Sequence, residues 1–131
     1  MENILPITDM IGAKLATIAF IFMILKFVFL RTNFQRTSQF FQKIHRPLGF
    51  LLIIFAVIHG LSSLRAFDQV DLYVYMLGAS SLILVIATIC THVFKQKLNE
   101  NWLKWHRIFT VLTFIVLVLH LIFGFRAYFK L

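Results

Sequence analysis

The sequence predicts an all-α integral membrane protein, a bundle of four helices in a single domain, and three observations carry that expectation. Hydrophobic residues make up 60% of the 131 positions, Phe alone accounts for 16, and only 14% of residues are charged. Mean hydropathy is +0.88. The apolar residues gather into four runs, about 11–30, 45–64, 72–93 and 105–125. Each run is close to the roughly 20 residues a helix needs to cross a hydrocarbon core. A water-soluble domain of this length has too little interior for so much apolar side chain.

Helix is the state each run must take, because an open chain in lipid leaves backbone groups without partners. The first run reads as a retained span and not as a signal peptide. Its leader carries Glu2 and Asp9 where positive charge is expected, and no small-residue cleavage site follows. The second and fourth runs reach full length by including His45 and Trp105 with the residues beside them. The third, Leu72 to Val93, is apolar almost throughout.

Charge orients the spans. Arg31, Arg36, Lys43 and Arg46 lie between spans one and two. Lys95, Lys97, Lys104 and Arg107 lie between spans three and four, opposed only by Glu100. The remaining connection sets Arg65 against Asp68 and Asp71, and the N-terminal segment holds only acids. The positive-inside rule then makes both basic loops cytoplasmic and sends both termini to the outer face of the cell membrane, with Arg126 and Lys130 pulling weakly the other way. Trp102, Trp105, Tyr73 and Tyr75 sit where interfacial aromatic belts form. The formal net charge of +8 therefore points to anionic lipid headgroups and away from nucleic acid. The single Cys90 excludes an intramolecular disulfide, a four-Cys zinc site and a covalently attached c-type haem. Cys90 itself is expected to be a small core residue.

The histidines carry the chemistry. Four of the five form two pairs of identical spacing, His45 with His59 and His106 with His120. Fourteen residues is just under four helical turns, so both members of a pair face nearly the same way, about 21 Å apart along the axis. That separation fits within a hydrocarbon core of roughly 30 Å. The segment from His45-Arg46 to His59 aligns with that from His106-Arg107 to His120, and Leu51/Leu112, Ile54/Ile115 and Val57/Val118 match as well. Spans two and four run parallel, since one span lies between them. His45 and His106 thus share the inner level, and His59 and His120 the outer. Two imidazoles per level suit a porphyrin, which brings four nitrogens and needs two axial ligands. Zinc asks for three or four protein ligands, and no Cys, Asp or Glu accompanies either pair. A lone His on an apolar helix is often merely hydrogen-bonded, but ionisable groups inside a membrane are costly and mark function.

Neighbouring residues fit the same picture less specifically. Gly49 and Gly60, beside His45 and His59, would let a flat macrocycle approach the helix, or they serve ordinary helix packing. Arg46 and Arg107 follow the inner histidines, where a guanidinium suits a haem propionate as well as it marks topology. His92, near the inner end of span three, is open to three readings: a propionate partner, part of a quinol site, or an interfacial residue.

The run His45-Arg46-Pro47-Leu48-Gly49 ending in His59, with Trp105-His106-Arg107 ending in His120, resembles the ferric reductase-like transmembrane domain. That superfamily includes ferric reductases, NADPH oxidases and the haem subunit of bacterial methionine sulfoxide reductase systems. The resemblance covers about 31–125 and implies two stacked b-type haems, with iron ligands His45 and His106 on the inner side and His59 and His120 on the outer. It also implies outward electron flow to an extracytoplasmic acceptor, with the chain as an oxidoreductase component. Fuller members have more spans, and the oxidases add a cytosolic flavin and nicotinamide domain. Here there is no Gly-rich dinucleotide motif, so the electrons are expected from a separate flavin reductase or a quinol, the flavin or quinone being supplied by that partner. Two other classes stay open: a quinol-coupled cytochrome b anchor of a larger redox complex, and a haem-free proton-coupled transporter or assembly factor.

Overall fold

The computed structural model describes the backbone of residues 4–30, 35–65 and 71–129, and the side chains of 10–26, 39–65 and 71–127. Glu2, Asp9, Arg31, Arg36, Asp68 and Lys130, used above to orient the chain, lie outside the described side chains. All the regular structure described is helical. The described residues form four long helices, α1 (Ile4–Leu30), α2 (Gln35–Ser63), α3 (Leu72–Val93) and α5 (Trp102–Phe129), with a single turn, α4 (Lys95–Leu98), and a 3-10 turn at Asn99–Asn101 between the last two. Among the described residues three helical stretches are long and apolar enough to cross a membrane: Gln39–Ser63, Leu72–Val93 and Lys95–Ala127. The shortest of them, α3 with 22 residues, is about 33 Å long.

Helix α2 begins ten residues before His45, where the apolar run was expected to start. Hydropathy marks how much of a helix is apolar, whereas backbone hydrogen bonding decides how far it extends. Phe41 is buried and packs its ring 6.3 Å from that of Phe22, while Gln39, Gln42 and Lys43 face outward. One side packed and one side polar suffices to continue the helix. Pro47 lies within α2 and has no N–H to offer the carbonyl of Lys43.

The chain divides into two units, Met1–Ser62 and Ser63–Leu131, each described by itself. In the first, α1 meets α2 at Gly12, where an added Cβ would stand 3.3 Å from the backbone nitrogen of His59 and 3.4 Å from its Cα. That approach is tighter than most side chains tolerate and favours a glycine. Ala19, Phe20, Phe41 and Leu52 are buried in this unit.

In the second unit α3 lies along α5. The buried residues of α3 are Val74, Ser81, Val85, Thr88 and Thr91, a stripe at helical spacing of small or β-branched side chains that lets two backbones come close. Their hydroxyls are satisfied within the helix: Ser81 donates to the Leu77 carbonyl and Thr88 to that of Leu84, both at 2.8 Å. Thr113 on α5 does the same toward Phe109 at 2.7 Å. Tyr75 donates at 2.9 Å to the carbonyl of Ser63, one of the orphan acceptors a helix end leaves. Cys90 falls off the buried stripe and is an exposed free thiol, which corrects its expected place in the core. Helical register decides this, since Cys90 is adjacent to the buried Thr91 and a helix turns about 100° per residue.

The turn between α3 and α5 contains one backbone outlier. Asn99 has φ 48° and ψ −129°, a conformation that glycine adopts readily and other residues do not. Asn99→Gly is therefore expected to raise stability by about 1 kcal/mol, and Asn99→Val to lower it by at least as much. Thermal unfolding of the detergent-solubilised protein, followed by circular dichroism, checks both. Equal melting temperatures for the three proteins would show that the turn carries no strain.

Candidate functional site

The four paired histidines all sit on long helices, His45 and His59 on α2 in the first unit, His106 and His120 on α5 in the second. All four are half-buried. The Nδ1 atom of His45 is shut away from solvent. The backbone of His59 is the surface on which Gly12 packs.

The geometry is most informative on α5, because α3 holds both of its imidazoles. Nδ1 of His120 lies 3.1 Å from the backbone carbonyl of Val74. Nδ1 of His106 lies 3.2 Å from the carbonyl of Thr88 and 3.0 Å from the hydroxyl oxygen of Thr91. A carbonyl can only accept, so in both rings Nδ1 carries the proton and donates it. The Thr91 hydroxyl leads to the same assignment, because it donates its own hydrogen to the Thr88 carbonyl at 2.6 Å and meets His106 as an acceptor. With Nδ1 protonated, the lone pair of each neutral ring resides on Nε2. This second-sphere pattern, Nδ1–H to a carbonyl, is the one that fixes tautomer and ring orientation in metal-ligating histidines.

The two acceptors on α3 are spaced as the histidines are. Val74 and Thr88 stand fourteen residues apart, running opposite to His106 and His120, which is the register of two antiparallel helices in contact. One helix thereby serves both rings, through acceptors about 21 Å apart along its axis. Gly78 completes the seat of His120: a Cβ there would come within 3.0 Å of the ring Cε1 and 3.4 Å of Nδ1. Tyr73 and Phe123 meet edge to face at 5.3 Å at the same end of the hairpin.

At the other end the rings form a row. His92 lies 6.0 Å from Trp102, and Trp102 lies 6.2 Å from His106. Trp102, expected to be an interfacial anchor, is half-buried between two imidazoles. Trp105 does face outward, stacked on Phe109 at 5.8 Å, and Lys97 lies over the Phe94 ring at 5.6 Å. Lys95, Lys104 and Arg107 are exposed at this end, as is Arg46 in the first unit. Gly49 is buried, whereas a Cβ on Gly60 would meet no atom within 4 Å, so close helix packing does not account for the glycine at 60.

Val74, Gly78, Thr88 and Thr91 were not expected from the sequence to matter. Two hydroxyls three residues apart in an apolar run were the available signal for Thr88 and Thr91. A carbonyl acceptor such as that of Val74 leaves no signature at all. Among the described residues no three or more His, Cys, Asp or Glu side chains gather as a site built wholly of protein ligands requires.

Fold and site together define a helical protein with, among the described residues, three apolar stretches of membrane-crossing length, one of which carries two imidazoles oriented by hydrogen bonds. Compared with protein-family models, with curated proteins and with solved structures, the chain matches none.

Proposed function

We propose that this chain is an integral membrane cytochrome b that carries electrons across a bilayer, as its resemblance to the ferric reductase-like transmembrane domain implies. The observation that supports this most is the matched pair of Nδ1–H bonds from His106 and His120 to α3. Each bond directs a ring whose lone pair is on Nε2, the donor an axial haem ligand must offer. A haem held by two histidines supplies one-electron redox chemistry. The chain's own part is to present imidazoles at two depths and to hold them there.

The sequence repeat assigns His45 to the level of His106 and His59 to that of His120. Bilayer insertion is supported by the many large apolar side chains left facing outward in mid-helix, among them Ile83 at 65% exposed and Val111 at 57%. Lys95, Lys97, Lys104 and Arg107 against the lone Glu100 put the His106 end at the cytoplasmic face. Arg46 and Arg107 directly follow His45 and His106 in sequence, and a guanidinium suits a propionate. His92 and Trp102 lie beside His106, where a quinol or a separate flavin reductase would deliver electrons. The acceptor is then on the outer face.

Spectroscopy of the purified protein tests the reading. A low-spin b-type spectrum is expected, reducible by dithionite and by a quinol or a flavin reductase with free flavin, and not by NADPH alone. A colourless preparation from haem-replete cells would overturn it. Rapid reduction by NADPH without added flavin would overturn the need for a separate donor.

A further inference from the structure

Helix α5 has a packed side and an open side. Thr113 is 7% exposed, and at 100° per residue His106 and His120 fall within about 20° of its direction. Both rings meet α3 there. The open side begins at Lys104, which stands half-way round the helix from Thr113 and is exposed. Ile108, Val111 and Ile115 continue the same line at 38%, 57% and 49% exposed. Arg107, about 60° to one side of Lys104, is exposed as well. An apolar line about 16 Å long thus starts at two cations. In length it matches one leaflet, half of a hydrocarbon core of roughly 30 Å.

We propose that this side of α5 binds one anionic phospholipid, with its phosphate at Lys104 and an acyl chain laid along Ile108, Val111 and Ile115. Charge complementarity picks the ligand. An apolar line alone is covered by any lipid, whereas two cations at its head select a headgroup of negative charge. The long stem of Lys104 can lie along the helix while its ammonium reaches the headgroup level. Arg107 adds positive charge at that level, whichever acid its guanidinium meets. Lys97 is engaged differently, since its ammonium lies over the Phe94 ring at 5.6 Å. The site needs α5 in a bilayer and needs no haem, so it stands or falls separately from the cytochrome reading.

The test is native mass spectrometry of the full chain, purified in detergent and titrated with phosphatidylglycerol or phosphatidylcholine of identical acyl chains. The unchanged protein should take up one phosphatidylglycerol in preference to phosphatidylcholine. Lys104→Gln should lower that preference about fivefold, the effect of one cation at an anionic surface, and Lys104→Arg should keep it. Lys95→Gln is the control, because it removes the same charge from α4, off this side of α5. Circular dichroism melting of each variant ensures that folded proteins are compared. An equal loss of preference in Lys95→Gln would reduce the effect to diffuse charge and overturn the site. So would equal affinity of the unchanged protein for the two lipids. Displacement of the lipid by inorganic phosphate or a short-chain phosphatidylglycerol at equal concentration would overturn the acyl-chain contact, and with it the lipid as occupant. A lipid-free dimer would give this side to a second copy of the chain and overturn the proposal too.

Discussion

Replacing His120 with alanine is expected, on the proposed cytochrome b reading, to leave the purified protein with about one haem per chain against about two expected for the unchanged protein. His59→Ala should remove the same spectral component, and His45→Ala or His106→Ala the other. The expectation joins the sequence repeat, which assigns levels, to the hydrogen bonds on α3, which orient the two rings of α5. A b-type haem has no covalent tether, so occupancy depends on its axial bonds and packing. Loss of one imidazole should therefore empty one level while the other, about 21 Å away, stays filled. A pyridine haemochrome assay gives the stoichiometry and low-temperature difference spectra give the identity of the lost component. If His45 and His120 variants were to lose the same component, the parallel arrangement of the second and fourth spans would be wrong.

The second large effect is expected at a residue with no side chain. Gly78→Val should weaken or abolish binding at the His120 level alone. Even the Cβ would stand 3.0 Å from the ring Cε1, tighter than most real contacts, and the valine methyls add to the crowding. The ring is expected to shift, which strains or breaks its 3.1 Å bond to the Val74 carbonyl. Loss of such an orienting bond costs about 10- to 100-fold in metal-site affinity, and the steric displacement adds to that. Gly124→Ala is the control: nothing lies within 4 Å of its added Cβ, and alanine favours helix over glycine by roughly 1 kcal/mol. It should melt slightly higher with its spectrum unchanged. A Gly78→Val protein with both components intact would mean that His120 can be seated without its contact on α3.

How much of this was legible in the sequence depends on the kind of interaction. The histidines stood out because ionisable groups are rare in apolar runs and their spacing repeats. The third span was legible in the sequence, Leu72 to Val93, since Asp71 precedes it and Lys95 follows two residues after it. The start of α2 was not, because residues 35–44 form a half-polar helix that a hydropathy reading stops short of. The role of α3 was hidden for a deeper reason. Its acceptors are mostly backbone carbonyls, which every residue possesses, and only the register of two helices shows which carbonyl meets which ring. Cys90 was misplaced for the same reason, since the buried face of α3 follows from its neighbour and not from composition.

The way hydroxyls and imidazoles find their partners bears on how the chain would enter a membrane. Thr17, Ser62, Ser81, Thr88, Thr110 and Thr113 each close on a carbonyl four residues back in their own helix. Such helices can leave the translocation channel one at a time with their hydroxyls already satisfied. The imidazoles of α5 are different, because the acceptors for their Nδ1–H groups stand on α3. Released alone into hydrocarbon, α5 would carry two polar hydrogens separated from those acceptors, each at a cost of several kcal/mol. The connection from Phe94 to Asn101 is short enough for α3 to be waiting alongside when α5 emerges. The hairpin of α3 and α5, and not the single helix, is then the step of insertion for the second half of the chain.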